Sequence, residues 1–545
     1  MQRASFFIVL LFTGTLLAAE PSSPKMTVVF VIDQLSAEYL EKLRPLLKGG
    51  IATMWQNGVE YTNAFYDASP PSTAHGHALL TTGTYGALHG IVGNSWRTKD
   101  LGLVECDDDS AEQAAVFAPK GALCSYGKSA KNMLVDNLSD QLKLHSYPHA
   151  RNTVWSLSLK SRAAILMGGK MGSPVWFNNE ERQYTSSKAY FKKMPQWITE
   201  VNEKLALDRQ EKITWKPLYP LCGPMYAFDN ASDYLFARVK KPLINSTHDL
   251  STKKAFNRIY GKSPQATADF FTLAKACINA NYKEEQNERF ILWLNLASLD
   301  KVAHSFGPYS KEALDTLYHM DHQMGLFIKE IYKKVPKEDV LFVLTGDHGG
   351  QPIPEIINQK GYTAARRYYA PTILENLNKL VEEKYGIKKL VRFFSSSQFF
   401  LDMTRLTDLK KNLTKAIMGT MKEHLVSLPG IRKAWTFDEL QKTIFEKYDL
   451  DSRIKKELYP GRSGHLFYST DPYTALYGNK KGGVHSTQYA YDTRVPLIFY
   501  QAGRFKPRRI HTTRYITQVS PTLAALLNVP RPSAAVARVL PELLP

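Results

Sequence analysis

The chain has 545 residues, 44% of them apolar and 12% aromatic, which excludes a disordered protein and leaves room for one large core or several domains. Its formal charge of +19 favours anionic partners, yet the lysines and arginines are scattered rather than gathered on an arm or a helix face. No specific nucleic-acid partner is therefore expected.

The first residues, MQRASFFIVLLFTGTLLAAE, hold one early positive charge, an apolar run from Phe6 to Leu17, and small residues at Ala18 and Ala19. This is the layout of a secretory signal peptide over residues 1–19, with an uncleaved anchor as the alternative. No later segment offers the roughly 20 uninterrupted apolar residues of a spanning helix. The mature chain, 20–545, is expected to be periplasmic or secreted and to lack a membrane span.

Several apolar runs rich in β-branched residues then stop at polar ones. MTVVFVID ends on Asp33, RFILWLNLASLD reaches Asp300, DVLFVLTGDHGG reaches Asp347 and His348, and RVPLIFY reads as a further buried strand. Continuous runs alternating with helical segments predict an α/β fold with a mostly parallel central sheet and helices on both faces. Ligands collect at the carboxyl ends of such strands, so these carboxylates stand where chemistry is expected.

Between the strands, a helical stripe of Leu314, Leu317, Met324, Ile328 and Ile331 leaves His319 and His322 off the apolar face, where both are expected to meet solvent. The more mixed stretches near 98–150, 175–285 and 356–478 read as insertions between core strands of one catalytic domain. There is no repeat of 20 to 50 residues, and the tail VPRPSAAVARVLPELLP reads as a loosely packed end. Of the four cysteines, 106 with 124 and 222 with 277 is the simplest pairing in an oxidising compartment, the other two connectivities remaining open.

The chemistry concentrates in short motifs. In ASPPSTAHGHA, Ser72 or Thr73 can cap a helix that Pro70 and Pro71 lead into. The alternative is a hydroxyl nucleophile at a helix N-terminus, where free N–H groups favour an anion. Asp300 and His304 form an i, i+4 pair in DKVAH, and TGDHGG sets Asp347 beside His348 at a strand end. Singly, Asp33 reads as a helix cap and His485, in GGVHSTQYAYD, as a loop residue.

Taken in order, Asp33, Thr73, Asn94, Asp300, His304, Asp347, His348 and His485 resemble the metal-dependent alkaline phosphatase superfamily, which includes the nucleotide pyrophosphatase and phosphodiesterase branch. The resemblance runs from about Val28 to Ala525 and is weak through the insertions. It implies an alkaline-phosphatase-like sandwich with two zinc ions per chain, one on Asp300, His304 and His485, the other on Asp33, Asp347 and His348. That is a donor set suited to zinc with an open position on each ion. Thr73, its hydroxyl ionised by the second zinc, is the implied nucleophile and phosphothreonine the implied intermediate. Ser72 is the fallback, though TAHGHA matches the family's Thr-x-x-Gly-His pattern better. Asn94, in GNSW, would donate to a phosphoryl oxygen, while His75 fills a variable position and His77 and His89 read as structural.

The branch is indicated by SLKSRAAIL. Alone, Lys160 and Arg162 read as a solvated strand edge, but the pair resembles one found in the phosphate-irrepressible periplasmic alkaline phosphatases and absent from the phosphodiesterases. A monoester carries one more negative charge than a diester, which a guanidinium fork and an ammonium stabilise selectively. The expected substrates are thus small-molecule phosphate monoesters. Three rivals stand beside this reading: a phosphodiesterase on the same metals, a sulfatase, whose Cys/Ser-x-Pro-x-Arg setting is missing here, and a non-catalytic exported metal- or phosphate-binding protein.

Overall fold

A computed structural model describes residues 23–146, 152–228, 242–284 and 289–544; the expected signal peptide lies outside them. Among these residues ten strands form the central sheet: β1 (Met26–Ile32), β2 (Val59–Phe65), β3 (Asn152–Ser158), β4 (Ser173–Asn178), β5 (Gln183–Thr185), β6 (Arg289–Leu296), β7 (Val340–Gly346), β8 (Arg494–Tyr500), β9 (Arg508–Ile510) and β10 (Arg514–Tyr515). Their order is β9-β2-β8-β7-β1-β6-β3-β4-β5, with β10 also on β2. Only β5 and β8 oppose the common direction, so the sheet is mostly parallel.

The period of two along each strand sorts the core into two layers. From β1, Val28, Phe30 and Ile32 enter one apolar cluster and Val29 and Val31 the other; Leu292 and Leu294 against Ile291 and Trp293 repeat the pattern on β6. Helices α1 (Gly50–Asn57), α4 (Pro264–Asn281) and α6 (Lys311–Ile331) cover the first face. Helices α2 (Thr73–Thr82), α3 (Ser161–Gly168) and α7 (Val519–Leu526) cover the second. Each such side chain, fully buried, contributes about 1.5–3 kcal/mol, which is why strands covered on both faces read as unbroken apolar runs. The register pairs Ile32 with both Leu296 and Gly346, so β1, β6 and β7 end level and bring the residues after them to one edge of the sheet.

Between β7 and β8 the chain builds a four-stranded antiparallel sheet, Val391–Ser395, Gln398–Leu401, Leu466–Thr470 and Ile431–Thr436, with an apolar cluster of its own around Leu377, Ile417 and Leu466.

Three expectations are corrected. The four cysteines are free thiols: Cys106 and Cys124 pack into different apolar clusters, and Cys277 lies in the main core while Cys222 is exposed. The C-terminal tail is packed rather than loose, because Leu540 and Leu543 complete the cluster under α7 and Glu542 pairs with Arg514. On α6 the apolar stripe is buried and His322 exposed, but His319 is half-covered, 3.4 Å from Asp315, where the segment around Trp215 crosses the helix.

Candidate active site

Five strand ends feed one cleft. Asp33 follows β1 directly, Asp347 and His348 follow β7, and β6 leads into α5 (Ser298–Phe306), which carries Asp300 and His304 one turn apart. The chain leaving β2 enters α2 at Thr73, and the chain leaving β3 enters α3 at Lys160 and Arg162. His485 comes from the loop before β8 and lies against the others, its ring stacked on that of His348 at 3.9 Å. The sequence-scattered ligand candidates therefore converge.

Two glycines permit the approach. A Cβ on Gly76 would stand 2.0 Å from the Asp347 carbonyl oxygen, so α2 packs onto that strand end only through the bare backbone of Thr-x-x-Gly. Gly482, at φ +80°, would place a Cβ 1.8 Å from the His304 carbonyl oxygen.

Lys160 lies at the centre. Its ammonium stands 2.8 Å from Asp33 Oδ2, 2.6 Å from Asp300 Oδ2 and 3.2 Å from Thr73 Oγ1. His304 Nε2 is 3.2 Å and His485 Nε2 3.9 Å from Asp300 Oδ1, while His348 Nε2 is 3.6 Å from Asp33 Oδ1 and 3.5 Å from Asp347 Oδ2. The far ring nitrogens are fixed by carbonyls: Gly483 on His304, Gly349 on His348, Pro71 on His485. Such contacts set which nitrogen faces the cleft.

The electrostatics arise from burial among like charges. Burial pushes the Asp347 carboxyl well above its usual range, and neighbouring Asp33 adds to the rise. Burial works the same way on Asp300, but Lys160 and His304 overcome it and hold that carboxyl well below. Burial lowers His348 and, more strongly, His485, so both imidazoles favour the neutral, ligating form.

Metal-binding capacity can be judged from unpaired atoms. Asp33 Oδ1, Asp347 Oδ2 and His348 Nε2 are buried without a hydrogen-bond partner, and Asp33 Oδ2 and Asp300 Oδ1 have charge contacts to Lys160 and His304 in place of hydrogen bonds. Lys160 offsets part of this carboxylate charge, and the atoms still unpaired are donors that a bound cation would satisfy. Asp33, Asp347 and His348 offer ligand atoms within 4.8 Å of one another, and so do Asp300, His348 and His485. His348 thus reaches both groups, and His304 joins the second through Asp300.

Asn94 obeys the same logic: its Oδ1 accepts from the Ala74 N–H at the start of α2 (3.0 Å), beside Thr73. Arg162 keeps a buried Nε without a partner; burial opposes its charge, but Cys106, Asp107, Asp33 and Asp300 outweigh it and raise its pKa. His77, read from sequence as structural, holds the Thr73 carbonyl through Nδ1 (2.7 Å), and burial lowers it to about 4. His89 accepts from the Ile91 N–H within its own turn. Sequence reading missed Lys301, lowered to about 8 by burial and then by Lys160, and Tyr477, stacked 5.8 Å from His304. Lys301 adjoins a candidate ligand in DKVAH, whereas nothing near Tyr477 signals its destination.

Carboxylates and imidazoles thus gather at parallel strand ends facing a hydroxyl at a helix start, and the family and relatives that the chain matches make it a phosphoric ester hydrolase. The chain belongs to the family described as type I phosphodiesterase / nucleotide pyrophosphatase, whose model matches residues 27–490. Alkaline phosphatase PafA of Elizabethkingia meningoseptica is 28% identical, covering 98% of this chain and 98% of its own. Alkaline phosphatase PhoV of Synechococcus elongatus is 26% identical, covering 96% of this chain and 93% of its own. A crystal structure of wild-type alkaline phosphatase PafA superposes with a TM-score of 0.83 at 25% identity, covering 96% of this chain and 99% of that one. Among the described residues no helix is long and apolar enough to cross a membrane.

Proposed function

We propose that the protein is an exported, zinc-dependent phosphate monoesterase that works through a phosphothreonine on Thr73. The observation that carries this reading is the position of Lys160, whose ammonium touches the Thr73 hydroxyl and bridges Asp33 and Asp300, one carboxylate from each ligand group. A phosphoryl group joined to Thr73 Oγ1 would meet that ammonium at once. The near full-length likeness to proteins named alkaline phosphatases adds support, and the apolar N-terminal run supports export.

Asp300, His304 and His485 would hold one zinc ion and Asp33, Asp347 and His348 the other. When bound, two such ions would stabilise the attacking and leaving oxygens of an in-line displacement. Thr73 Oγ1 attacks phosphorus, the ester oxygen departs, and water hydrolyses the phosphothreonine to free the hydroxyl and inorganic phosphate. Thr73 opens α2, so the positive end of that helix lies beside the developing charge. Asn94 donates its amide to one nonbridging oxygen, and Lys160 and Arg162 neutralise the charge that distinguishes a monoester from a diester.

A phosphodiesterase is the second reading, favoured by the family model that matches residues 27–490. The metal half of the proposal is tested by chelation. Turnover of an aryl phosphate is expected to vanish and to return on adding zinc, with about two ions bound per chain. Active enzyme holding clearly fewer would contradict the two-ion site.

A further inference from the structure

Ser72 stands at the N-cap of α2 with extended backbone angles (φ −151°, ψ 169°), yet its hydroxyl makes no capping bond to the helix. Instead Ser72 Oγ lies 3.1 Å from His75 Nδ1, and His75 Nε2 lies 3.1 Å from Glu457 Oε2. All three side chains are at most 4% exposed. In the Nε2–H tautomer Nδ1 accepts the Ser72 O–H, while Nε2 faces the Glu457 carboxylate in a charge contact without an aligned hydrogen bond. The carboxylate is itself anchored, because Glu457 Oε2 accepts from the Gly86 N–H at 3.1 Å.

The capping bond on α2 comes from elsewhere. Ala74 N–H, the second amide of the helix, donates to Asn94 Oδ1. With its oxygen engaged there, Asn94 has its NH2 end left for a phosphoryl oxygen beside Thr73. Serine is among the best N-cap residues, and an N-cap hydroxyl bonds the second or third amide of its helix. The Ser72 hydroxyl is therefore the natural competitor for the N–H that orients Asn94.

We propose that His75 and Glu457 are positioning residues that hold the Ser72 hydroxyl away from the start of α2, so that Asn94 takes the cap and presents its amide to the substrate. This rests on the role given to Asn94 in the proposed function. It gives His75 a task and connects the segment between β7 and β8 to the nucleophile helix through three buried side chains.

His75→Ala releases the hydroxyl. In the zinc-loaded enzyme, kcat/KM for an aryl phosphate is expected to fall about tenfold to a hundredfold, approaching the loss caused by Asn94→Ala. Equilibrium affinity for inorganic phosphate is expected to fall in parallel. Adding Ser72→Ala removes the competitor and should restore most of both quantities, while adding Asn94→Ala should cost little more than Asn94→Ala alone. His75→Phe keeps the ring volume, loses the acceptor, and serves the same comparisons if the alanine variant fails to fold. A double Ser72/His75 variant no better than the single one, or a full His75 effect persisting in Asn94→Ala, would overturn the relay. Wild-type enzyme inert toward the aryl phosphate would refute the functional reading instead, and phosphate affinity would still decide the relay.

Discussion

Replacing Thr73 by alanine is expected to lower aryl phosphate turnover by on the order of a thousandfold or more while leaving the fold and metal content intact. The hydroxyl lies at the first position of α2 and is almost fully buried, with Lys160 3.2 Å away. No other hydroxyl is so placed among the site residues described, and water lacks both its fixed position and the covalent route. Ser72, the adjacent candidate, is turned onto His75. Acid quenching of the wild-type enzyme with labelled substrate, followed by peptide mapping, should find phosphate on Thr73. Label on Ser72, or full activity in Thr73→Ala, would reject the nucleophile.

The second large effect concerns Lys160 and Arg162. Each charged hydrogen bond lost should cost roughly 1.5–3 kcal/mol. At about 1.4 kcal/mol per tenfold, alanine at both positions should slow monoester hydrolysis by on the order of a hundredfold to ten-thousandfold. A methyl diester puts its extra substituent where that charge would sit and should lose far less. The monoester-to-diester rate ratio is the quantity to measure. Lys160 also bridges Asp33 and Asp300, so bound metal must be measured in the same samples. A uniform fall on both substrates with metal retained would assign the pair to structure and favour the phosphodiesterase.

Much of the fold is legible in the chain because β1, β6 and β7 are covered on both faces and so appear as unbroken apolar runs that end on the polar residues they deliver. The ligand candidates are legible only as an ordered set that resembles a known family, since singly Asp33 reads as a helix cap and His485 as a loop residue. Asp33, Asp347 and His348 do lie within two residues of a strand end, and Asp300 with His304 obeys helical spacing. What escaped depends on contacts with no local period. Glu457 reaches His75 from the segment between β7 and β8, far along the chain, and the segment around Trp215 covers His319 without any mark in the α6 pattern. The cysteines misled because spacing says nothing of burial, and Cys277 serves the core as a small apolar residue. The tail misled because its proline-rich opening hides Leu540 and Leu543, which the core claims.

The most direct test of the account is a side-by-side rate comparison of the zinc-loaded wild-type enzyme on an aryl phosphate, its methyl diester and the aryl sulfate. A monoesterase built around Lys160 and Arg162 should hydrolyse the phosphate monoester fastest by a wide margin. A diester hydrolysed as fast or faster would contradict the central claim and make the protein a phosphodiesterase.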